Sequence, residues 1–306
     1  MTRPPKPPLA PRHWPTWLGV GILWLLSHLP YRILMNLGRA LGSAVFPFAK
    51  RRRRIADTNL HLCFPQWSET QRRQVLKAHF QALGMMLFEA ALSWWGSERT
   101  MRALSTITGL EHLRTALDRG KGVLLLGAHF TTIEITGNLF YRHARHPVSG
   151  LYRQHENPVL DYLFQRGRHQ FFEQLIARDD IRSVLRGLKQ NQIMWYAPDQ
   201  AYRGRQSIEA PFFGHPAQST NATMRIAKIS GAAVTPFYCE RLPAGRGYQL
   251  HVLPALKDFP SGDDIADQTQ INQIFERIIA RIPEQYFWVH RRFKPARGQA
   301  DPYRPA

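Results

Sequence analysis

The feature that most constrains the fold is a short apolar run that ends in a histidine. The run from Gly122 to Gly127 reads Gly-Val-Leu-Leu-Leu-Gly, and such an unbroken run is typical of a strand buried on both faces of a parallel sheet. His129 follows it, and a helical pattern begins at Thr131. These residues predict a strand–turn–helix unit. Such a unit presents an imidazole at the carboxyl end of a strand, where open α/β sheets bind their ligands.

An imidazole in that turn suits general-base catalysis. Histidine can take the proton of an alcohol as its oxygen attacks a carbonyl carbon. Glu134 lies five residues after His129, and on one helix such residues point about 140° apart, so the two can meet only if His129 is in the turn. There, the Glu134 carboxylate would fix the tautomer of His129. The alternative is that Thr131-x-x-Glu134 is only a capping box at the start of the helix.

Strand-like and helical patterns alternate from about residue 105 onward. The predicted strands cover residues 122–127, 147–152, 193–197, 233–239 and 248–254, and the predicted helices 132–143, 157–169, 180–190, 219–230 and 264–281. Upstream, Ser68-Glu-Thr-Gln71 has the capping-box pattern and predicts the start of another helix. The fold class predicted is α/β, with a largely parallel sheet flanked by helices.

The beginning of the chain has a strongly apolar stretch. No Asp, Glu, Lys or Arg occurs between His13 and Tyr31, and about 20 apolar residues are needed to cross a bilayer. This favours an N-terminal membrane-anchoring helix, with an interfacial segment up to residue 49 and one domain over residues 50–306. A buried soluble helix and a cleaved signal peptide are the alternatives, although no Ala-x-Ala-like cleavage site follows. The basic run Lys50–Arg54 predicts that the bulk of the chain lies on the cytoplasmic side of the membrane.

The net charge of the chain restricts its partners. A formal charge of +19 and a pI near 10.6 require anionic partners, yet no zinc-finger spacing, RRM signature or helix-turn-helix pattern indicates nucleic acid. An anchor with basic clusters favours anionic lipid headgroups or an acidic protein. The two cysteines give no disulfide framework. No metal site is expected, because the one close histidine pair, His143 and His146, lacks carboxylates nearby.

Further polar side chains stand beside apolar runs. The predicted strand 193–197 leads directly to Asp199, the same kind of position that His129 occupies. Arg153 and Arg168 supply guanidinium groups, which suit phosphate through paired hydrogen bonds. Asp199 capping a turn and Arg168 solvated on a helix face are the alternatives. The apolar stretch Ala210-Pro-Phe-Phe-Gly214 is predicted as a loop that packs on another part of the protein or belongs to the core.

Five motifs in order resemble one protein family. They are His129-x4-Glu134, Tyr152-Arg153 with Asn157-Pro158, Trp-Tyr-Ala-Pro-Asp at 195–199, Pro-Phe-Phe-Gly at 211–214 and Pro-Glu-Gln-Tyr-Phe-Trp-Val-His-Arg-Arg-Phe-Lys at 283–294. Together they resemble the late acyltransferases of lipid A biosynthesis, the lauroyl or palmitoleoyl transferases that act on Kdo2-lipid IVA. The first motif alone occurs across glycerolipid acyltransferases, whereas the third and fifth are much more specific.

The resemblance implies an inner-membrane enzyme that transfers an acyl chain from acyl carrier protein to a hydroxyacyl hydroxyl of the anionic lipid A precursor. By the same resemblance His129 is the general base, Glu134 its partner, Arg168 a ligand of phosphate or of the developing oxyanion, and Asp199 an orienting carboxylate. Arg153 is a weaker substrate-binding candidate. No metal or redox cofactor is implied. An acyltransferase for another anionic glycolipid or lysophospholipid, and a catalytically silent membrane-associated binding protein, are the alternatives.

Overall fold

The centre of the protein is a seven-stranded sheet. The computed structural model describes residues 6–295 and 300–304. The strands are β1 (Ser105–Thr108), β2 (Val123–Leu126), β3 (Val148–Tyr152), β4 (Gln174–Ala177), β5 (Ile193–Tyr196), β6 (Ser207–Phe212), β7 (His215–Thr220), β8 (Ala233–Arg241) and β9 (Tyr248–Val252). The sheet order is β1-β9-β8-β2-β5-β3-β4, and β6 and β7 form a separate antiparallel hairpin. Strands β8, β2, β5, β3 and β4 are mutually parallel, while β9 runs antiparallel to β8.

Helices flank this sheet, which confirms the predicted α/β class. Those in the described residues are α1 (Trp14–Leu26), α2 (Tyr31–Val45), α3 (Lys50–Cys63), α4 (Glu69–Trp95), α5 (Glu98–Ala103), α6 (Leu110–Leu117), α7 (Ile133–Ala144), α8 (Pro158–Arg168), α9 (Ile181–Lys189), α10 (Ala222–Ser230) and α11 (Asp264–Arg281). The predicted capping box starts α4, because Gln71 N donates to Ser68 Oγ (3.2 Å) and Ser68 N donates to Gln71 Oε1 (2.9 Å).

Strand β2 lies at the middle of the core. All four of its side chains are fully buried, as the unbroken apolar run predicts. Leu124 and Leu126 pack into the apolar cluster on one face of the sheet, and Val123 and Leu125 pack into the cluster on the other. The parallel neighbour β5 pairs Tyr196 with Leu126, so both strands end at the same edge of the sheet.

The apolar N-terminal stretch is divided into two helices. Helix α1 has 13 residues and is therefore about 20 Å long. The chain bends after it, and Pro30 is the N-cap of α2. Because proline has no N–H, the preceding helix cannot continue through this residue. In residues 6–295 and 300–304, no helix combines the length and the apolar character needed to cross a membrane. The uncharged stretch predicted as one N-terminal membrane-anchoring helix therefore contains α1 and the bend that follows it, and ends where α2 begins.

Helix α2 packs very closely on α4. A Cβ atom placed on Gly84 would lie 2.0 Å from Gly38 O and 2.6 Å from Gly42 N, and one on Gly42 would lie 2.1 Å from Phe80 O. The backbones of the two helices are thus in direct contact, which only small residues permit. The outer face of α2 stays apolar and exposed, at Ile33, Leu37, Leu41 and Val45.

The apolar loop predicted at 210–214 is instead the tip of the β6–β7 hairpin. Phe213 and Gly214 both have positive φ, 49° and 75°, as the two central residues of a tight hairpin turn require. Phe213 N donates to Glu276 Oε1 of α11 (2.7 Å), and Phe212 is 1% exposed. Phe212 therefore belongs to the core and Phe213 packs against it, as one of the two interpretations predicts, while Pro211 and Gly214 are exposed.

Candidate active site

His129 and Asp199 meet at the carboxyl edge of the sheet. Each lies three residues beyond the last paired position of its strand, Leu126 in β2 and Tyr196 in β5. The distance from His129 Nδ1 to Asp199 Oδ1 is 2.5 Å, and His129 N donates to Asp199 Oδ2 (3.0 Å). One carboxylate therefore holds both the ring and the backbone of the histidine.

The two groups shift each other's pKa in opposite directions. Burial lowers the pKa of His129, but the charge and hydrogen bond of Asp199 outweigh it, and the pKa is raised above its usual 6.5. Burial likewise raises the pKa of Asp199, yet the charge of His129 and its two hydrogen bonds bring it below the usual value. In the described part of the chain no side chain binds Nε2 of His129, so that nitrogen can accept a proton from a substrate.

Glu134 is not the partner of His129, which corrects the predicted dyad. Its carboxylate accepts hydrogen bonds from Arg168 Nη2 (2.6 Å), Arg168 Nε (3.1 Å to Oε2) and Trp94 Nε1 (3.0 Å). The physical reason is the start of α7. Glu134 is its second residue, and its carboxylate lies against α4 and α8 rather than against the histidine. Asp199 binds Nδ1 instead.

The capping-box interpretation of Glu134 is also wrong. Thr132 is the N-cap of α7 and no side chain caps the helix there. Thr131 Oγ1 instead accepts from Arg241 Nη2 (3.2 Å), and Thr132 Oγ1 donates to Cys239 O (3.0 Å). The two threonines thus fix the turn after His129 to strand β8.

Arg168 ends α8 and is not a solvated surface residue. Its guanidinium lies 5.0 Å from the centre of the Phe164 ring and binds Glu134, whose carboxylate is 3% exposed. Burial lowers the pKa of Arg168, but Glu134 outweighs it and the pKa is raised. The charge of Arg168 in turn lowers the pKa of His129, although Asp199 outweighs this effect. Part of the side chain, 23%, stays exposed.

Arg153 lies further out on the same edge. It follows β3, is exposed, and makes no hydrogen bond to His129, Asp199 or Glu134 in the described residues. Strand β5 separates β3 from β2. The structure therefore brings His129 together with Asp199, and Glu134 with Arg168, and leaves Arg153 at the rim.

A buried ion pair beneath the site has no counterpart in the sequence analysis. Glu89 of α4 binds Arg241 of β8 through two hydrogen bonds, Nε to Oε1 (2.5 Å) and Nη2 to Oε2 (2.6 Å), and Tyr248 Oη donates to Glu89 Oε1 (2.7 Å). Arg241 is the residue that donates to Thr131. The sequence signal that could have indicated this ion pair is the position of the Glu89 carboxylate between Phe88 and Ala90, in an apolar helix face.

The motif at 283–294 supports the turn from the other side. Gln285 O accepts from Thr131 N (2.7 Å), its side chain binds both backbone polar groups of Arg241, and Phe287 N donates to His129 O (2.9 Å). Arg292, which is 2% exposed, donates to Gln218 O (2.8 Å) and Ser219 Oγ (3.0 Å) of β7. The motif therefore forms hydrogen bonds both to the histidine turn and to the β6–β7 hairpin.

This arrangement suits acid–base chemistry at an acyl group. Nε2 of His129 can take a proton while Asp199 stabilises the imidazolium, and the exposed part of the Arg168 guanidinium can stabilise developing negative charge. In the described segments, no three His, Cys, Asp or Glu side chains group together as metal ligands would. Cys63 and Cys239 are free and buried.

Comparison with known proteins agrees with this chemistry. A profile described as "bacterial lipid A biosynthesis acyltransferase" matches residues 5–295. The chain is 39% identical to the lipid A biosynthesis lauroyltransferase of Escherichia coli (strain K12) and 37% identical to the palmitoleoyltransferase of that organism; each match covers 94% of this chain and 93% of the relative. It is 32% identical to a lipid A biosynthesis acyltransferase of Haemophilus influenzae, over 96% of this chain and 94% of that protein.

Proposed function

Since this chain belongs to the bacterial lipid A biosynthesis acyltransferase family and is an acyltransferase, we propose that it acylates Kdo2-lipid IVA. The donor is a fatty acyl thioester of acyl carrier protein, lauroyl or similar, and the acceptor is the hydroxyl of a hydroxyacyl chain. The observation that carries this proposal is the His129–Asp199 pair at the carboxyl edge of the sheet.

In this mechanism His129 is the general base. Nε2 takes the proton of the acceptor hydroxyl as its oxygen attacks the thioester carbonyl, and Asp199 stabilises the imidazolium that forms. The guanidinium of Arg168 stabilises the oxyanion of the tetrahedral intermediate. When the C–S bond breaks, the imidazolium returns its proton to the leaving thiolate. Glu134, which accepts a hydrogen bond from Trp94, holds Arg168 in place, so Glu134 is a positioning residue rather than a proton acceptor.

The surface of the N-terminal helices supports membrane association. Leu18 and Leu25 of α1 are 68% and 65% exposed, and Ile33, Leu37, Leu41 and Val45 of α2 are also exposed. The basic run Lys50–Arg54 begins α3 directly afterwards. An exposed apolar patch next to basic residues suits an interfacial anchor on anionic lipid. These features support the proposal that the enzyme works on the cytoplasmic face of the inner membrane, where acyl carrier protein is present.

The test is acyl transfer by purified protein in mixed micelles, followed by mass spectrometry of the product. His129→Ala is expected to lose roughly 10²–10⁴-fold in rate, the usual share of general-base catalysis. His61→Ala is the matched control, since His61 is exposed on α3. Transfer to a lysophospholipid but not to Kdo2-lipid IVA would favour the other acyltransferase reading. Full activity of His129→Ala, or no transfer by the unaltered protein, would contradict the mechanism.

A further inference from the structure

Two exposed arginines stand side by side at the carboxyl edge of the sheet. Strands β3 and β4 are parallel, and their last register pair is Tyr152 with Ala177. Arg153 and Arg178 are the next residues of each strand, and Arg178 N donates to Tyr152 O (3.0 Å), which continues the ladder. Neighbouring strands are about 4.8 Å apart. The side chains of Arg153 and Arg178 therefore begin at adjacent backbone positions, on the same edge of the sheet as His129.

Within residues 6–295 and 300–304, neither arginine side chain makes an ion pair or a hydrogen bond. The nearest acidic residues in sequence are Asp179 and Asp180 after Arg178, and Glu156 after Arg153. Among the described residues, Glu156 forms no ion pair with either arginine. Asp180 accepts from Ser183 N (3.1 Å) as the N-cap of α9, and in the described part of the chain no ion pair joins the side chains of Asp179 and Arg178. Two like charges held this close repel each other, and an anion between them removes that repulsion. A phosphate monoester, which guanidinium groups bind with paired hydrogen bonds, fits this position.

The loop after β3 also touches the candidate active site. The ring of His155 stacks on Phe164 at 5.9 Å between centroids, and the Arg168 guanidinium lies over the same ring. His155 N donates to Asp161 Oδ1 of α8 (2.8 Å), which fixes the loop to that helix. One aromatic side chain thus separates the Arg153 loop from the arginine that binds Glu134.

The distance from the two arginines to strand β2 also restricts the size of the ligand. The strand order is β2-β5-β3-β4, so the two arginines leave the sheet two and three strand spacings from β2, roughly 10–15 Å. A small phosphorylated substrate would not reach from there to His129. A larger acceptor, with its phosphate on a headgroup and its reacting hydroxyl on an attached chain, would.

We propose that Arg153 and Arg178 form a binding site for a phosphate of the acyl acceptor, and that this site fixes how far the reacting hydroxyl extends toward His129. The proposal rests on the proposed function for the identity of the acceptor. The pairing of the two arginines itself rests on the strand register alone. An acidic surface of the carrier protein is the competing ligand, and the test separates the two.

The variants are Arg153→Gln, Arg178→Gln and the double change, in the full-length protein. Arg119→Gln is the control, because Arg119 is exposed in the turn before β2, at the opposite edge of the sheet. For a phosphorylated acceptor, the double variant is expected to raise KM about tenfold at unchanged kcat, which corresponds to roughly 1.4 kcal/mol. For the same acceptor without phosphate, and for the acyl carrier protein thioester, KM should match the unaltered protein. The control variant should change none of these values.

An equal loss with the phosphate-free acceptor would overturn the proposal. A raised KM for the acyl carrier protein thioester would overturn it in favour of carrier docking. Binding is measured separately on micelles that contain a phosphorylated glycolipid or its phosphate-free form. If no acyl transfer is seen at all, phosphate-dependent binding that the double variant loses and Arg119→Gln keeps would still support the pair, while the proposed function would fail. Equal binding of both glycolipids by the unaltered protein would end the proposal.

Discussion

At the scale of single residues, the Asp199 carboxylate acts on His129 in two ways. It fixes the proton on Nδ1 by a hydrogen bond, and its charge raises the pKa of the ring. A general base must be neutral to accept a proton. Because the pKa of His129 is raised, a smaller fraction of the enzyme carries a neutral imidazole at low pH. The rate of acyl transfer should therefore rise as the pH rises through a value above 6.5.

Asp199→Asn separates these two effects. The amide keeps the shape of the side chain but removes its charge, so the pKa of His129 should fall and the acid limb of the pH–rate profile should move to lower pH. The plateau rate should fall by roughly 10²–10⁴-fold, because the imidazolium is no longer stabilised and the tautomer is wrong. The measurement is kcat/KM across the pH range for both proteins. The same acid limb in both would mean that Asp199 does not tune His129.

Arg168→Lys tests the second pair of the site. Lysine keeps the positive charge but cannot make the paired hydrogen bonds to Glu134, so kcat should fall by roughly 10²-fold, the scale of one lost oxyanion donor. KM should change little. Arg166→Lys is the matched control, since Arg166 lies on the same helix and is exposed. Equal kinetics in the two variants would remove Arg168 from the site.

At the scale of elements, the direct contact between α2 and α4 predicts a sharp difference between two glycines. Gly84→Ala places a methyl group 2.0 Å from Gly38 O, and such overpacking costs about 1–3 kcal/mol or more. Gly19→Ala in α1 has nothing within 4 Å of the new Cβ, so it should stabilise its helix by up to about 1 kcal/mol. Thermal unfolding of both variants measures this. A Gly84→Ala protein as stable as the parent would contradict the packing described.

The elements also mark what the sequence could predict. Strand β2 and the start of α4 follow from an apolar run and a capping box, which are local signals, and both are confirmed. Strands β1 and β4 have four residues each. β1 contains one apolar residue, and β4 is too short for its apolar residues to show a period, so no local pattern marks either strand. Nearness in sequence predicts Glu134 as the partner of His129. The true contact joins residues 70 positions apart, and only the pairing of β2 with β5 reveals it.

At the scale of the whole molecule, the exposed apolar surface of α1 predicts how the protein holds to a membrane. Leu18→Gln with Leu25→Gln removes two side chains that are about two-thirds exposed and free to enter the lipid interface. The loss should be about 2–4 kcal/mol, which weakens flotation with anionic vesicles at least tenfold. Ile265→Gln on α11, 54% exposed, is the control. Unchanged flotation of the double variant would place the membrane contact elsewhere.

The hydrogen bonds from the histidine turn to Gln285 and Phe287 have a consequence for synthesis of the chain. The turn is made early, but the residues that fasten it are translated about 155 positions later. At 5–20 residues per second that delay is roughly 8–30 s. Until then the Thr131 amide has no partner and the histidine lacks its support. The N-terminal helices are therefore synthesised long before the histidine turn gains these two hydrogen bonds, and the turn is completed only after residues 285–287 have been translated.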